Sequence, residues 1–182
     1  MKVTGFLATL LVAAIVAAPA ARSDNMDDID CASSSFAFAG DGYHLDCQRS
    51  SDQVRAGEST GTTQVDLMTI SSDNQHMFMT MIGIRVTAPR IYMEHRSLKS
   101  SFQDTFERVE VQDWKDMGRK NGYDSAEFTA VISGLPSSCV ALQRYANPAW
   151  TGFKRHVIGM GCSTDNRESV YAALAKLHAP GD

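Results

Sequence analysis

The sequence predicts an α+β fold: an antiparallel sheet with one helix in mid-chain, a second at the C-terminus, and two disulfides. Three observations predict it. Strand-like apolar runs follow one another with little more than Gly, Asn and Pro punctuation between them, as hairpin-joined strands do. In two places the apolar spacing switches to every third or fourth residue, the period of a helix face. Four cysteines lie beyond an export-type leader, an even number suited to pairing.

The elements follow in order. Residues 24–30, "DNMDDID", are acidic and read as a frayed leader. "FAF" (36–38) and "GYHLDC" (42–47) read as short strands about a Gly-Asp-Gly turn. Residues 48–64, "QRSSDQVRAGESTGTTQ", hold almost no large apolar side chain and read as a long polar loop. "VDLMTIS" (65–71) and "MFMTMIGIRV" (77–86) make a hairpin across "SDNQH". The second run is so continuously apolar that it belongs in mid-sheet, buried on both faces, and Pro89 ends it. In "SLKSSFQDTFERV" (97–109), Leu98, Phe102, Phe106 and Val109 form a helical stripe behind Ser97 as N-cap. Strands return at "VEVQDW" (109–114), "SAEFTAVIS" (125–133), "SCVALQRY" (138–145) and "KRHVIGMGCS" (154–163). Turns are expected at Gly118, at Asn121 and Gly122, and at Gly134, Leu135 and Pro136. "NRESVYAALAKLH" (166–178) closes the chain as a helix with the stripe Val170, Leu174 and Leu177. Asp165, three residues before Glu168, resembles its capping box, and Ala179, Pro180 and Gly181 stop it.

This order of strands, helix, strands, helix resembles the Mog1/PsbP-like fold over roughly residues 40–178. The resemblance rests on element order and the closing helix; the two disulfides stand outside that fold's general pattern. It implies a meandering antiparallel sheet with helices packed on it. Because the fold hosts binding and assembly factors without a common catalytic site, it also implies a role other than catalysis.

The N-terminus reads as a secretory signal peptide, residues 1–20. Lys2 supplies the positive n-region, residues 6–18 an apolar stretch too short to span a bilayer, and Ala18, Pro19 and Ala20 the cleavage site. Cleavage after Ser23 is the alternative. Residues 21–30 are then an acidic leader and residues 31–182 a single domain large enough for a sizeable core. The chain carries 17 basic and 21 acidic residues; losing Lys2 leaves 16 against 21, a net charge of −5. Mild acidity argues against a nucleic-acid footprint, and no run of like charge suggests a polybasic membrane patch. The expectation is a periplasmic or secreted protein, not inserted in the membrane once its signal is removed, with another exported protein as its partner.

Cys31, Cys47, Cys139 and Cys162 allow three connectivities. If residues 138–145 and 154–162 pair as a hairpin closed near Trp150 and Thr151, Cys139 falls directly opposite Cys162. A non-hydrogen-bonded antiparallel pair brings Cα atoms within bridging distance. The same arithmetic centres a Cys31–Cys47 hairpin on Ala39 and Gly40. Closing the 139–162 loop would contribute roughly 3 kcal/mol. Other cysteine chemistry is disfavoured. No two cysteines have zinc spacing, no C-x-x-C occurs, and Cys162 would stand about 20 Å along its strand from His156.

Three further groups of residues could carry chemistry. Met77, Met79 and Met81 alternate along one strand face beside His76, and soft thioethers suit Cu(I); core packing is the plainer reading. His44, His76, His95, His156 and His178 show no ligand spacing, and Glu94, His95 and Arg96 read as a solvated cluster rather than an anion site ahead of a helix. Trp150, flanked by Tyr145, Phe153, Lys154 and Arg155 at the tip of a stapled hairpin, is the candidate partner anchor. The alternative folds its indole back onto the sheet. "GMGCS" is not a G-x-S-x-G elbow, so a hydrolase or thiol enzyme has no visible nucleophile and base. The expected function is therefore that of an exported, non-enzymatic binding or accessory protein, with a Met-based Cu(I) carrier and an enzyme as the alternatives.

Overall fold

The computed structural model describes residues 26–56, 59–88, 90–120, 122–149 and 151–179. Eight strands form one antiparallel sheet in the order β1-β3-β4-β5-β9-β8-β7-β6. They are β1 (Asp27–Asp28), β3 (Tyr43–Ala56), β4 (Ser59–Ser72), β5 (Met77–Val86), β6 (Gln112–Lys120), β7 (Tyr123–Ile132), β8 (Leu135–Ala149) and β9 (Gly152–Ser163). A 3-10 turn (Cys31–Ser33) and β2 (Ala37–Phe38) lie between β1 and β3, and β2 pairs with β10 (Leu177–His178). Helix α1 (Leu98–Thr105) follows β5 and α2 (Arg167–Leu174) follows β9. Of the described residues 61% are strand and 13% helix, so the fold is mostly antiparallel sheet carrying two helices. No helix among the described residues is long and apolar enough to cross a membrane.

Two meanders, β3-β4-β5 and β6-β7-β8-β9, are zipped together where β5 pairs with β9. That seam is central, which is why both strands are apolar on both faces. On one face Leu98, Phe102 and Phe106 of α1 and its C-cap pack onto Phe128, Ala141 and Ile158. On the other, Val170 and Ala173 of α2 pack over Met79, Met81 and Val140. Gly161 makes room for α2: a Cβ there would lie 2.5 Å from Val170 Cγ1.

Most of the expected elements are present. The 65–71/77–86 hairpin, the central buried strand, the Ser97 cap and the last three strands of the second meander all form. Cys139 lies opposite Cys162 in the ladder, and the pair is bonded with a Cα–Cα distance of 4.1 Å. Cys31 and Cys47 are bonded as well, at 5.2 Å.

Six local expectations are corrected. The strand expected over 109–114 runs instead as β6, Gln112–Lys120, and Gly118 is not a turn but lies within it at positive φ, where the β6–β7 register shifts. Residues 48–56 and 59–64 are not a loop but most of a ribbon in which β3 and β4 pair from Tyr43↔Ser72 to Ala56↔Ser59; residues 57–58 of the expected loop lie outside the described residues. In the outer part of the ribbon, residues 51–55 and 60–64, no side chain is buried, so the backbone ladder holds it without an apolar period. Within the acidic leader, Asp27 and Asp28 are not frayed but pair with Arg49 and Gln48 as β1. Cys31 lies in the 3-10 turn rather than in a hairpin about Ala39 and Gly40, since β2 pairs with the C-terminal β10 instead. Asn166 rather than Asp165 caps α2, its Oδ1 accepting from Ser169 N, and the helix ends at Leu174 so that Leu177 and His178 are free to form β10. Leu135 and Pro136 belong to β8, because Ser133 and Gly134, both at positive φ, suffice for a two-residue hairpin turn.

Candidate functional site

The α2-side face is left open toward the ends of β4, β5 and β9 that α2 does not cover, and there the segment after the 3-10 turn arches over the sheet. Asp66 anchors the arch. Its carboxylate is 1% exposed and accepts from Arg49 Nε (2.6 Å), Arg49 Nη2 (3.0 Å), Ser35 N (2.8 Å) and Gln64 Nε2 (3.2 Å). Arg49 also donates to Ser33 O at 2.8 Å. Burial pushes the Asp66 pKa up, but the hydrogen bonds from Arg49, Ser35 and Gln64 outweigh it and hold the carboxyl below its ordinary value. Gly83 lets the arch come down, since a Cβ there would lie 2.9 Å from Phe36 Cζ.

Under the arch is a cavity of about 50 Å³ lined by Ser35, Gln64, Asp66, Arg85, Arg155 and Val157, with Gly83 between them. Strand alternation puts Gln64, Arg85 and Arg155 on this face in one row across three strands, because Gln64 pairs with Arg85 and Arg85 with Arg155. Two like charges thus face each other across neighbouring strands. Among the described residues neither Arg85 nor Arg155 has an ion-pair partner.

The opposite face carries an aromatic cluster at the start of α1. Tyr145 stacks on His156 (4.3 Å between ring centres, 9° between planes) and also meets His95 and Phe153, each at 5.0 Å. Its hydroxyl accepts from Arg96 N at 3.3 Å. Gln143, fully buried, donates Nε2 to Arg96 O at 2.8 Å, which turns its oxygen toward His156 Nε2 at 3.4 Å. Burial, followed by the charge of His95, lowers the His156 pKa to about 4, so the ring is neutral and donates to Gln143. A second cavity, of about 100 Å³, lies beside this cluster and is lined by His95, Arg119, Asp124, Gln143, Tyr145 and Phe153, with Gly122 and Arg144 completing its rim. The cluster's polar atoms are largely spent on one another. Its visible work is to dock the segment ahead of α1 onto the sheet.

The sequence-predicted site residues scatter. All four cysteines are in disulfides and none is free. Met77, Met79 and Met81 share one face as expected, exposed by 3%, 0% and 0%, and pack in the core beneath α2. Among the described residues no group of three or more His, Cys, Asp or Glu is placed to hold a metal. Lys154 is turned inward: its Nζ donates to Ala88 O and Ile91 O and lies 3.9 Å over the Tyr92 ring, tying down the crossover after β5. Trp150 lies outside the described residues. Of the Glu94, His95 and Arg96 cluster, Arg96 bonds to Asp104 and Ser100 on α1 while His95 meets the Tyr145 ring at a tilt of 41°.

Of the two described candidates for partner binding, Lys154 is turned inward and Arg155 reaches the cavity under the arch. Sequence reasoning missed its neighbours Arg85, Asp66 and Arg49. A usable signal was present in "MIGIRV", a charged residue closing an otherwise buried run, but its partner across the seam depends on a pairing between strands some 70 residues apart. Comparison of the chain with protein-family models, with curated proteins and with solved structures finds no match in any of the three.

Proposed function

We propose that the chain is an exported, non-enzymatic binding protein that takes its partner on the open α2-side face around Arg155, next to the tip of the β8–β9 hairpin. The observation that carries this reading is the unpaired Arg85 and Arg155 couple at a cavity in an otherwise acidic chain. An uncompensated like-charge pair costs stability and is worth keeping where a ligand supplies the missing charge. Two features make the surface a low-entropy platform: the Asp66–Arg49 anchor beneath the arch and the Cys139–Cys162 bond in the strands that present Arg155. The export-type leader, the disulfides and the Mog1/PsbP-like element order all favour a binding role outside the cytoplasm over a catalytic one. Capture from the exported fraction of the source cells tests it. Arg155→Ala and Trp150→Ala should each weaken retention of a specific partner by about tenfold or more, the scale of a centrally placed interface residue, with a melting temperature no lower than that of the parent chain. Retention unchanged in both variants removes this surface from consideration.

A further inference from the structure

We infer that the group seated between Arg85 and Arg155 is a small oxyanion, a carboxylate or phosphate carried by the ligand. The inference rests on the cavity being a binding site and adds what it binds. Residues directly opposite on antiparallel strands have Cβ atoms about 5 Å apart, a spacing at which like charges repel. Arg85 faces Arg155 in this way. The one carboxylate in the cavity cannot serve them. Asp66 offers about four acceptor positions, and four donors already fill them: Arg49 twice, Ser35 N and Gln64. With Arg49 cancelling Asp66, two positive charges remain at the mouth. Two planar guanidinium forks lining one cavity match the lone-pair geometry of a carboxylate or phosphate and of little else. A cavity of about 50 Å³ has room for such a headgroup but not for a whole metabolite, so the body of the ligand must lie outside on the open sheet face.

The test uses the full mature, disulfide-bonded chain, titrated with inorganic phosphate and, separately, with succinate, against sodium chloride at matched ionic strength. One or both oxyanions should raise the melting temperature saturably above chloride; phosphate alone, succinate alone or both identify which chemistry the forks prefer. Arg85→Gln and Arg155→Gln should each weaken the apparent affinity about tenfold or more, while raising the melting temperature of the free protein, because each relieves the repulsion. A misfolded variant would move that temperature the other way. A readout that needs no variant is the Nε–H resonance of each arginine: those of Arg85 and Arg155 should shift on titration while that of Arg49, already committed to Asp66, stays in place. Equal stabilisation by chloride, or a response retained in the double Gln variant, overturns the proposal. An absent anion response with partner retention still lost in Arg155→Ala overturns the oxyanion and leaves the binding reading standing. An anion response with retention unchanged in Arg155→Ala and Trp150→Ala supports the oxyanion and overturns the partner surface.

Discussion

Two buried polar residues set the pH behaviour, and they act in separate windows. His156 is held neutral with its pKa near 4, against an ordinary value of 6.5. As pH falls below 6.5 the unfolded chain takes up a proton that the folded chain refuses, so stability drains away down to about 4 and then levels. The loss is on the order of 3 kcal/mol. His156→Phe keeps the stack on Tyr145 and should cost about 1 kcal/mol at pH 7, through the orphaned Gln143 oxygen, yet flatten the dependence between pH 6.5 and 4. Urea unfolding across that range measures it. Asp66 works lower. Its folded pKa lies below the ordinary 3.8, so its contribution is present above that value and is lost as pH falls through the folded value. Asp66→Asn should cost about 2 kcal/mol at pH 7, less than a fully buried pair because the Arg49 side chain is 30% exposed and can rehydrate. It should also remove the steepest acid limb below pH 4 in the same experiment. Neither role was legible in the sequence. Asp66 stands in "QVDLMTI" like any polar residue of an alternating strand, and only the arch from Ser33 to Phe36 buries it. His156 was weighed as a partner for Cys162, whereas its actual contacts, Tyr145 and Gln143, come from the neighbouring strand.

Among the elements, the β3–β4 ribbon is where local composition misleads most. Ser, Thr, Gln and Gly across residues 48–64 satisfy the criteria of a loop, but each arm is paired along its length. β1 covers only Arg49 and Gln48, so residues 50–55 form an edge with one side bonded to β4. Hydrogen exchange should therefore alternate along residues 50–55, with every second amide protected by at least about tenfold, an ordinary consequence of an edge strand. Uniformly fast exchange would restore the loop. α2 depends on a different detail. Gly161 lies under Val170, so Gly161→Ala should push the helix outward at a cost of about 1–3 kcal/mol. In a Val170→Ala background the same change should cost at least about 1 kcal/mol less, a coupling that a double-mutant cycle in urea reports. Helix caps show how close two readings can be. Asp165 and Asn166 are both good N-caps, and only the bond from Ser169 N to Asn166 Oδ1 decides between them.

For the molecule as a whole, the two helix-covered cores share β5, β8 and β9, so neither can be lost without the other. Near-ultraviolet and far-ultraviolet signals should follow one unfolding transition. Cys139→Ala with Cys162→Ala should lower its free energy by about 3 kcal/mol while keeping the two signals coincident, and separate midpoints would show independent halves. By itself the sequence determined which stretches are the last three strands of the second meander, where the first helix begins, which strand is central, and that Cys139 meets Cys162. Those follow from spacing along a single run or across one hairpin, distances that the chain's own geometry sets. Only the tertiary structure decided that a polar stretch would be ladder, that residues 27–28 and 177–178 would pair, that Lys154 would turn inward, and that Arg85 would face Arg155 beside a saturated Asp66. Each of these depends on register between segments remote in sequence, where hydrogen bonding and burial are settled by what lies opposite rather than by what lies next along the chain.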